Sequence, residues 1–162
     1  MKISKNFAIF LLFPAAVPCV ENSPNGISFP ADYKDWRVIS TIHRTDSETL
    51  RVIIGNDVAI NALRQGKTRP WPDGAMIAKV AWRIKHRADW QIAIVPDKFV
   101  DIGFMIKESK KFAATGGWGF AQWAGRKLMP YGDDADFTRE CFGCHTLAKD
   151  NDYVFVEPAI MP

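Results

Sequence analysis

The chain has 162 residues, 48% of them hydrophobic and 24% charged, which is enough for one domain with a hydrophobic core and too short for two ordinary domains. Its formal net charge is +3, from 21 basic and 18 acidic residues. Removing Lys2 and Lys5 with an N-terminal leader would lower the 21 basic residues to 19 against 18 acidic ones. A surface this close to neutral gives no argument for an anionic membrane as partner, and no nucleic-acid partner is expected.

The first 19 residues have the features of an export signal. Two lysines precede an apolar run, residues 7–13, which is too short to span a bilayer permanently. Cys19 leaves two alternatives, a lipid-anchored residue at the cleavage site or simple cleavage nearby, and Pro18 before it favours the second. We therefore expect residues 1–19 to be a signal peptide and the mature protein to lie in the periplasm.

Residues 20–32 are rich in turn-forming residues without periodicity, which predicts a linker followed by one domain, residues 33–162. Within that domain, β-branched and apolar runs bounded by turn residues predict strands, and capping residues predict helices. The expected strands are residues 36–45, 49–54, 75–84, 99–107 and 118–123, the expected helices are 58–65 and 136–149, and residues 153–156 are a short extended piece. His86 is expected in an exposed charged loop, and the short apolar run 90–95 is closed by Pro96.

The expected C-terminal helix carries the sequence Cys141-Phe142-Gly143-Cys144-His145. Two cysteines separated by two residues and followed by histidine are the attachment signature of a c-type haem, whose vinyl groups bond to both thiols while the histidine ligates iron. Both cysteines fall on one helical face, because residues three apart are neighbours there. The sequence therefore predicts one haem c per chain on an α+β fold, in which a mostly antiparallel β-sheet of about five strands precedes this helix.

A redox dithiol and a zinc site are the alternative interpretations of this motif. A dithiol of the thioredoxin type would begin a helix after a strand, whereas this pair follows a charged run late in the chain. Zinc would need further ligands, and the other histidines, His43 and His86, are distant in sequence. The only methionine after His145 is Met161. An open or weakly filled sixth iron position is therefore expected. This favours ligand binding or catalysis over a third alternative, a small electron carrier.

A single lysine, Lys79, stands among seven apolar residues in the expected third strand. One interpretation is an edge-strand lysine that reaches water or discourages aggregation. The other is that Lys79 faces the haem, where burial would favour the neutral amine, which is a nucleophile. The pattern of residues alone leaves both interpretations open.

The order and spacing of several short motifs resemble those of the cytochrome P-460 family and its relatives, the beta-type cytochromes c-prime, over nearly all of the expected mature region. The motifs are Tyr33-Lys34-Asp35-Trp36, Asp73-Gly74 ahead of Lys79, Ile106-Lys107-Glu108-Ser109-Lys110-Lys111-Phe112, Cys141 to His145, and Asp152-Tyr153-Val154-Phe155. The resemblance implies a sheet-rich homodimer with one c-type haem per subunit, five-coordinate iron and an open distal face.

The resemblance also assigns roles to individual residues. Cytochromes P-460 carry a covalent bond between a lysine and the haem rim, and Lys79 occupies that position. Arg51 resembles the pocket arginine of the family, with an exposed strand residue as the alternative. The family's distal glutamate, a base in hydroxylamine oxidation, falls on Gly103. This departure leaves Asp101, on the same face of the strand, as the candidate base.

The sequence thus predicts a periplasmic mono-haem c protein that binds or oxidises hydroxylamine and nitric oxide and exchanges electrons with a periplasmic partner. The alternative is a non-catalytic gas-binding protein of the beta-type cytochrome c-prime kind, so enzymatic activity is left open. The candidate site residues are Cys141 and Cys144 for attachment, His145 for iron, Lys79 for the haem rim, and Arg51 and Asp101 for catalysis. The aromatic residues Phe104, Trp118 and Trp123 could line the haem cavity or belong to the core.

Overall fold

A computed structural model describes residues 20–159, and within them the chain forms a six-stranded antiparallel sheet in the sequential order β1 to β6. The strands are β1 Arg37–Arg44, β2 Thr49–Gly55, β3 Met76–His86, β4 Ile94–Lys107, β5 Trp118–Ala124 and β6 Met129–Pro130. The described residues also form two α-helices, α1 Asp57–Arg64 and α2 Thr138–His145. They contain short 3-10 turns as well, at Ala31–Asp35, Ala113–Thr115, Ala135–Phe137 and Thr146–Asn151. The predicted α+β class and C-terminal helix are confirmed.

The hairpin between β3 and β4 is longer than predicted. His86 is the last residue of β3 rather than a loop residue, although its side chain is exposed as expected. Pro96 lies inside β4, where it pairs with Ile84. The pairing of β4 with β5 begins only at Asp101, so the preceding part of β4 has an unpaired edge that tolerates a residue without a backbone N–H.

Helix α1 begins where the sequence places its cap. The side chain of Asn56 accepts hydrogen bonds from the backbone N–H groups of Ala59 and Met76, each at 3.0 Å. Its amide also donates to the carbonyl of Gly74 at 2.9 Å. A single side chain therefore satisfies a free donor at the helix N-terminus and ties the helix to the start of β3.

The two faces of the sheet pack against different parts of the chain. We call one the helix face: it carries Ile53, Ile77, Met105 and Phe120 and is covered by α1, α2 and the C-terminal segment. The other, the aromatic face, carries Ile54, Ala78, Ile102, Phe104 and Trp123 and is covered by the N-terminal segment. The alternation predicted for β4 is confirmed, with Met105 on the first face and its neighbours in sequence on the second.

The N-terminal segment belongs to the packed domain. Ile27 is buried in the core of the aromatic face, and the Phe29 ring meets the Trp123 ring edge-to-face at a centroid distance of 5.0 Å. The indole N–H of Trp123 donates to the carbonyl of Glu21 at 2.9 Å. Folded structure therefore begins well before Tyr33, where the sequence placed the start of the domain. The sequence did not show this, because isolated apolar residues between turns give no periodic signal.

The C-terminal region differs from its prediction in two respects. Helix α2 is shorter than the expected helix over residues 136–149, because 3-10 turns occupy both of its flanks. The predicted short extended piece, residues 153–156, does not begin at Tyr153, since Asp152 and Tyr153 adopt left-handed conformations with φ of 49° and 65°. The chain therefore turns back sharply towards α2 after the second 3-10 turn.

The part of the chain that the structure describes contains no helix that is both long enough and apolar enough to cross a membrane. The expected signal peptide, including Cys19, and the tail residue Met161 lie outside residues 20–159.

Candidate functional site

Helix α2 presents the three residues of the predicted haem motif. Cys141 is half-buried against the core of the helix face, whereas Cys144 is exposed, and both are free thiols. Burial, and then the charge of Glu140, raise the pKa of the Cys141 thiol, which the Lys79 ammonium lowers in part. Within residues 20–159, no group of three or more His, Cys, Asp or Glu side chains could by itself hold a metal ion.

His145 is held in one orientation by its surroundings. Its Nδ1 lies 2.7 Å from the carbonyl oxygen of Tyr153, and its ring contacts the rings of Phe120 and Phe155 at centroid distances of 5.1 Å and 5.2 Å. A carbonyl only accepts, so Nδ1 is the donor and Nε2 keeps a free lone pair. Burial lowers the pKa of the His145 imidazole, and the hydrogen bond to Tyr153 raises that pKa in part. The net effect favours the neutral ring that a metal requires.

The carbonyl that holds His145 belongs to a strained turn. Asp152 and Tyr153 are consecutive residues with positive φ, and such conformations cost non-glycine residues about 1–3 kcal/mol each. The Tyr153 ring packs so closely over Gly116 that a Cβ there would lie 2.2 Å from a ring carbon. The left-handed Gly116 and the strained turn therefore fit together as one unit.

Lys79 lies on β3, in the interior of the sheet, so the interpretation as an edge-strand lysine is wrong. Its side chain is on the helix face, 29% exposed, and its Nζ lies 2.8 Å from Oδ1 of Asp101, a residue 14% exposed. The short contact is an ion pair without the alignment of a hydrogen bond, because Oδ1 is buried and has no hydrogen-bond partner of acceptable geometry. Lys79 is therefore a paired cation beside the motif, and its charge lowers the pKa of His145 in addition to burial.

Gly103 pairs directly with Lys79 across β3 and β4. A Cβ at this position would lie 3.7 Å from Cε of Lys79 and 3.8 Å from both the Ala121 carbonyl and Oε1 of Gln122, which are ordinary contacts. The backbone here does not require glycine, because its φ is not positive. The helix face therefore accommodates a Cβ at the position where this chain has none.

Arg51 is on the helix face, in the cross-strand row that continues through Ala81 to Asp101. Two strand spacings separate the Arg51 and Asp101 backbones, or about 9.6 Å. The guanidinium is half-buried and donates to the Thr49 hydroxyl at 3.3 Å. Burial, and then the charge of Arg44, lower the pKa of Arg51. Arg51 is thus half-buried, which does not match the alternative of an exposed strand residue.

The aromatic candidates divide between the two faces. Phe104 and Trp123 lie in the core of the aromatic face, on the far side of the sheet from α2, so they cannot line a cavity shared with the motif. Trp118 is in the core of the helix face, where its indole N–H donates to the carbonyl of Asp152 at 2.8 Å. The alternation of strand residues separates these positions once the face that carries α2 is known.

Two groups were not among the predicted site residues. Gln122 on β5 pairs with Gly103 and brings a neutral amide to the same face as Lys79. The Tyr153 carbonyl fixes His145, yet a backbone group has no signature in a sequence. Gln122 could have been predicted from the sequence, because a polar residue in an apolar strand opposite a glycine suggests a site.

These residues fit a c-type haem. The two thiols and the imidazole come from consecutive turns of one helix, and the imidazole is fixed as the tautomer with a free Nε2. Cys141 and Cys144 would carry the thioether bonds and His145 would ligate iron, while the Tyr153 carbonyl supplies the second interaction typical of metal-bound imidazoles.

Comparison with known proteins gives an independent result. Residues 30–156 match the family model of cytochrome P460, which covers well over half of the chain and includes the sheet, α2 and the turn at Tyr153. No curated protein matches the chain at a significant level. From its haem motif, its sheet and this match, the chain belongs to the cytochrome P460 family.

Proposed function

We propose that the protein is a periplasmic haem c cytochrome that binds small nitrogen species, chiefly nitric oxide and hydroxylamine, and oxidises hydroxylamine slowly. The observation that carries the proposal is the pairing of Lys79 with Asp101 on the helix face, opposite Gly103 and beside the motif. One haem per chain would be bonded to Cys141 and Cys144. When bound, it would supply an iron atom that takes a nitrogen ligand and accepts electrons.

Lys79 would be the residue that bonds to the haem rim. Its position supports this role, because it lies on the sheet face that packs against α2 and its charge reaches both Cys141 and His145. A lysine nitrogen must lose a proton before it can act as a nucleophile. The adjacent Asp101 carboxylate is the nearest paired acceptor for that proton. The new N–C bond would replace a C–H bond of the haem rim, with the two electrons passing to an oxidant such as a peroxide and the C–H hydrogen leaving as a proton.

Asp101 and Arg51 would serve the ligand itself. Asp101 would accept a proton from bound hydroxylamine, directly or through one water, while Arg51 would keep positive charge at the same face. Asp101 lies two residues along β4 from Gly103, where the resemblance places the family's glutamate, and aspartate has the shorter side chain. Slow oxidation with ready ligand binding is therefore expected, because Gly103 offers no base and Asp101 replaces it only in part.

A second candidate is a non-catalytic nitric oxide-binding protein of the beta-type cytochrome c-prime kind. Gly103 favours it, since a glycine stands where the resemblance places the catalytic glutamate and offers no proton acceptor. Gln122, the neighbour across β4 and β5, can donate a hydrogen bond but cannot act as a base near neutral pH. The two candidates differ in turnover and not in ligand binding.

The partners follow from the same proposal. A cytochrome that oxidises a substrate must pass electrons on, so a periplasmic electron acceptor belongs to the proposal. A homodimer is carried over from the resemblance to the family. Sedimentation of the purified haem protein would test it, with a mass of two chains expected and a mass of one chain contradicting it.

Anaerobic spectroscopic titration tests the proposed function. Addition of nitric oxide or carbon monoxide to the ferrous protein is expected to change its absorption spectrum at once, and hydroxylamine turnover with a dye acceptor is expected to be slow. An unchanged spectrum with both gases would contradict the proposal and indicate a six-coordinate electron carrier. Ligand binding without any turnover would select the non-catalytic candidate.

A further inference from the structure

A buried ion pair includes Asp152, the residue directly before the Tyr153 whose carbonyl holds His145. Lys107, the last residue of β4, is only 3% exposed, and its partner Asp152 is 12% exposed. The Lys107 ammonium donates to both Asp152 carboxylate oxygens, at 3.0 Å and 2.8 Å, and to the carbonyl of Gly116 at 3.0 Å. Three donors meet three acceptors, so the buried cation has a complete set of partners.

Asp152 is held at each of its other polar groups as well. Its Oδ2 accepts the backbone N–H of Trp71 at 2.8 Å, and its carbonyl accepts the indole N–H of Trp118 at 2.8 Å. Its own N–H donates to the carbonyl of Lys149 at 3.1 Å. Asp152 is therefore fixed to β4, to β5, to the segment before β3 and to the last 3-10 turn.

The residue that follows Asp152 supplies the carbonyl that holds His145. Both residues are left-handed, a conformation that persists only where the surroundings enforce it. A hydrogen bond weakens steeply as its length and angle depart from ideal values. The 2.7 Å bond from His145 Nδ1 to the Tyr153 carbonyl thus depends on the anchoring of Asp152.

We propose that Lys107 and Asp152 are positioning residues for the axial histidine. Their ion pair fixes the strained turn so that the Tyr153 carbonyl accepts the Nδ1 proton of His145. A strong acceptor at Nδ1 makes the imidazole a more basic ligand, and such outer contacts tune the reduction potential of a haem. The ion pair therefore acts on the iron through Tyr153 and His145, without touching either the haem motif or the ligand.

The chemistry of the pair supports a role beyond stability. A buried ion pair is often replaceable by apolar residues of similar volume with no loss of stability, because burial of two charges is costly. Lys107 and Asp152 are also 45 residues apart in sequence, and they join the two chain segments that meet behind His145. A contact kept only for packing would not require two charges here.

The test uses the haem-loaded protein and its Asp152→Asn variant. Asparagine tolerates the left-handed conformation, and its single oxygen can keep the bonds from Trp71 and from one Lys107 N–H. The change removes the negative charge and one of the two oxygens that accept from Lys107. The ferrous variant is expected to show a lower iron–histidine stretching frequency in its resonance Raman spectrum. Its reduction potential is expected to rise, because a less basic imidazole stabilises ferric iron less.

A second variant covers the case in which Asp152→Asn fails to accumulate because Lys107 is left buried and unpaired. The double variant Lys107→Met, Asp152→Asn removes both charges, and it should fold more readily for that reason. It is expected to show the same lowered frequency and raised potential. An unchanged frequency and potential in either folded variant would overturn the positioning role.

A matched control separates positioning from general loss of stability. Ile102→Ala opens a cavity on the aromatic face, where Ile102 is fully buried and far from the turn. It should lower the unfolding temperature but leave the frequency and the potential as in the wild type. Equal shifts in this control would contradict the proposal.

The inference rests on the proposed ligation of iron by His145, and the two can fail separately. A wild-type protein without an iron–histidine band and without covalent haem would refute the ligation itself. A normal wild-type band that Asp152→Asn leaves unchanged would refute only the role of the ion pair.

Discussion

Nζ of Lys79 lies 2.8 Å from Oδ1 of Asp101, across the two central strands β3 and β4 and on the face that packs against α2. The pair joins the residue proposed to bond to the haem rim with the residue proposed to accept a proton. Conversion of the lysine to a haem-bonded amine would weaken its positive charge and release the carboxylate. The properties of the site therefore depend on the state of Lys79.

Peptide mapping examines the bond from Lys79. Proteolysis of the mature protein is expected to release one haem-bearing species that contains the Lys79 peptide joined to the peptide of Cys141 and Cys144. Lys79→Arg should abolish the joined species, because a guanidinium stays protonated and is not a nucleophile. Lys85→Arg is the control, since Lys85 lies on the same strand in an exposed pair with Asp97. Recovery of Lys79 only in an unlinked wild-type peptide would place this protein with relatives that lack the bond.

Gly103→Glu tests the loss of the base. A Cβ at Gly103 would meet only ordinary contacts, and the position is on the same face as Lys79 and Asp101. Hydroxylamine turnover is expected to rise by about tenfold or more, because a well-positioned base typically raises the rate by about 10²–10⁴. Nitric oxide affinity should change little. The matched control is Gly103→Gln, which has the same length without a carboxylate, and equal turnover in the two variants would count against the mechanism.

Asp101→Asn tests the remaining carboxylate. Because Asp101 is displaced by two residues from the position of the family's glutamate, its removal is expected to slow hydroxylamine oxidation by less than about tenfold, below the range of a fully placed base. Loss of a partly exposed ion pair should lower the free energy of unfolding by about 1–2 kcal/mol. Steady-state kinetics and denaturant unfolding measure both effects. Fast wild-type oxidation that the variant abolishes would show that Asp101 has replaced the missing glutamate.

Two glycines of similar φ test the turn behind His145. Gly116 and Gly125 have φ of 66° and 63°, so an alanine at either position strains the backbone equally, by about 1 kcal/mol. Only at Gly116 would the new methyl group also overlap the Tyr153 ring, at 2.2 Å, while at Gly125 it would meet nothing within 4 Å. In denaturant unfolding, Gly116→Ala is expected to lower the free energy of unfolding by about 1–3 kcal/mol more than Gly125→Ala does. Equal losses would mean that the Tyr153 ring moves freely.

The sequence predicted the parts of the site that depend on local periodicity. The alternation of strand residues placed Asp101, Gly103 and Met105 on one face, and the spacing of Cys141 and Cys144 placed both on one helix. Both predictions hold because a strand and a helix have fixed repeats that side chains must follow. The choice between the two interpretations of Lys79 needed the strand order, which no local pattern contains.

What the sequence did not predict depends on long-range contacts or on the backbone. Strand β6 has only two residues, too few for any pattern. The role of the Tyr153 carbonyl follows from a left-handed turn of two non-glycine residues, which sequence rules disfavour. The sequence did not predict the ion pair of Lys107 with Asp152, because the two residues lie in separate motifs. In each motif the charged residue could equally have been exposed.

The most direct test of the account is the intact mass of the denatured mature protein, produced in a host that attaches c-type haem. One haem is expected to remain on each chain after acid extraction, because thioether bonds to Cys141 and Cys144 survive denaturation. Replacement of both cysteines by alanine should yield a protein whose haem, if any binds, is removed by the same treatment. A wild-type chain that loses all of its haem to acid extraction would contradict the central claim that this is a c-type cytochrome.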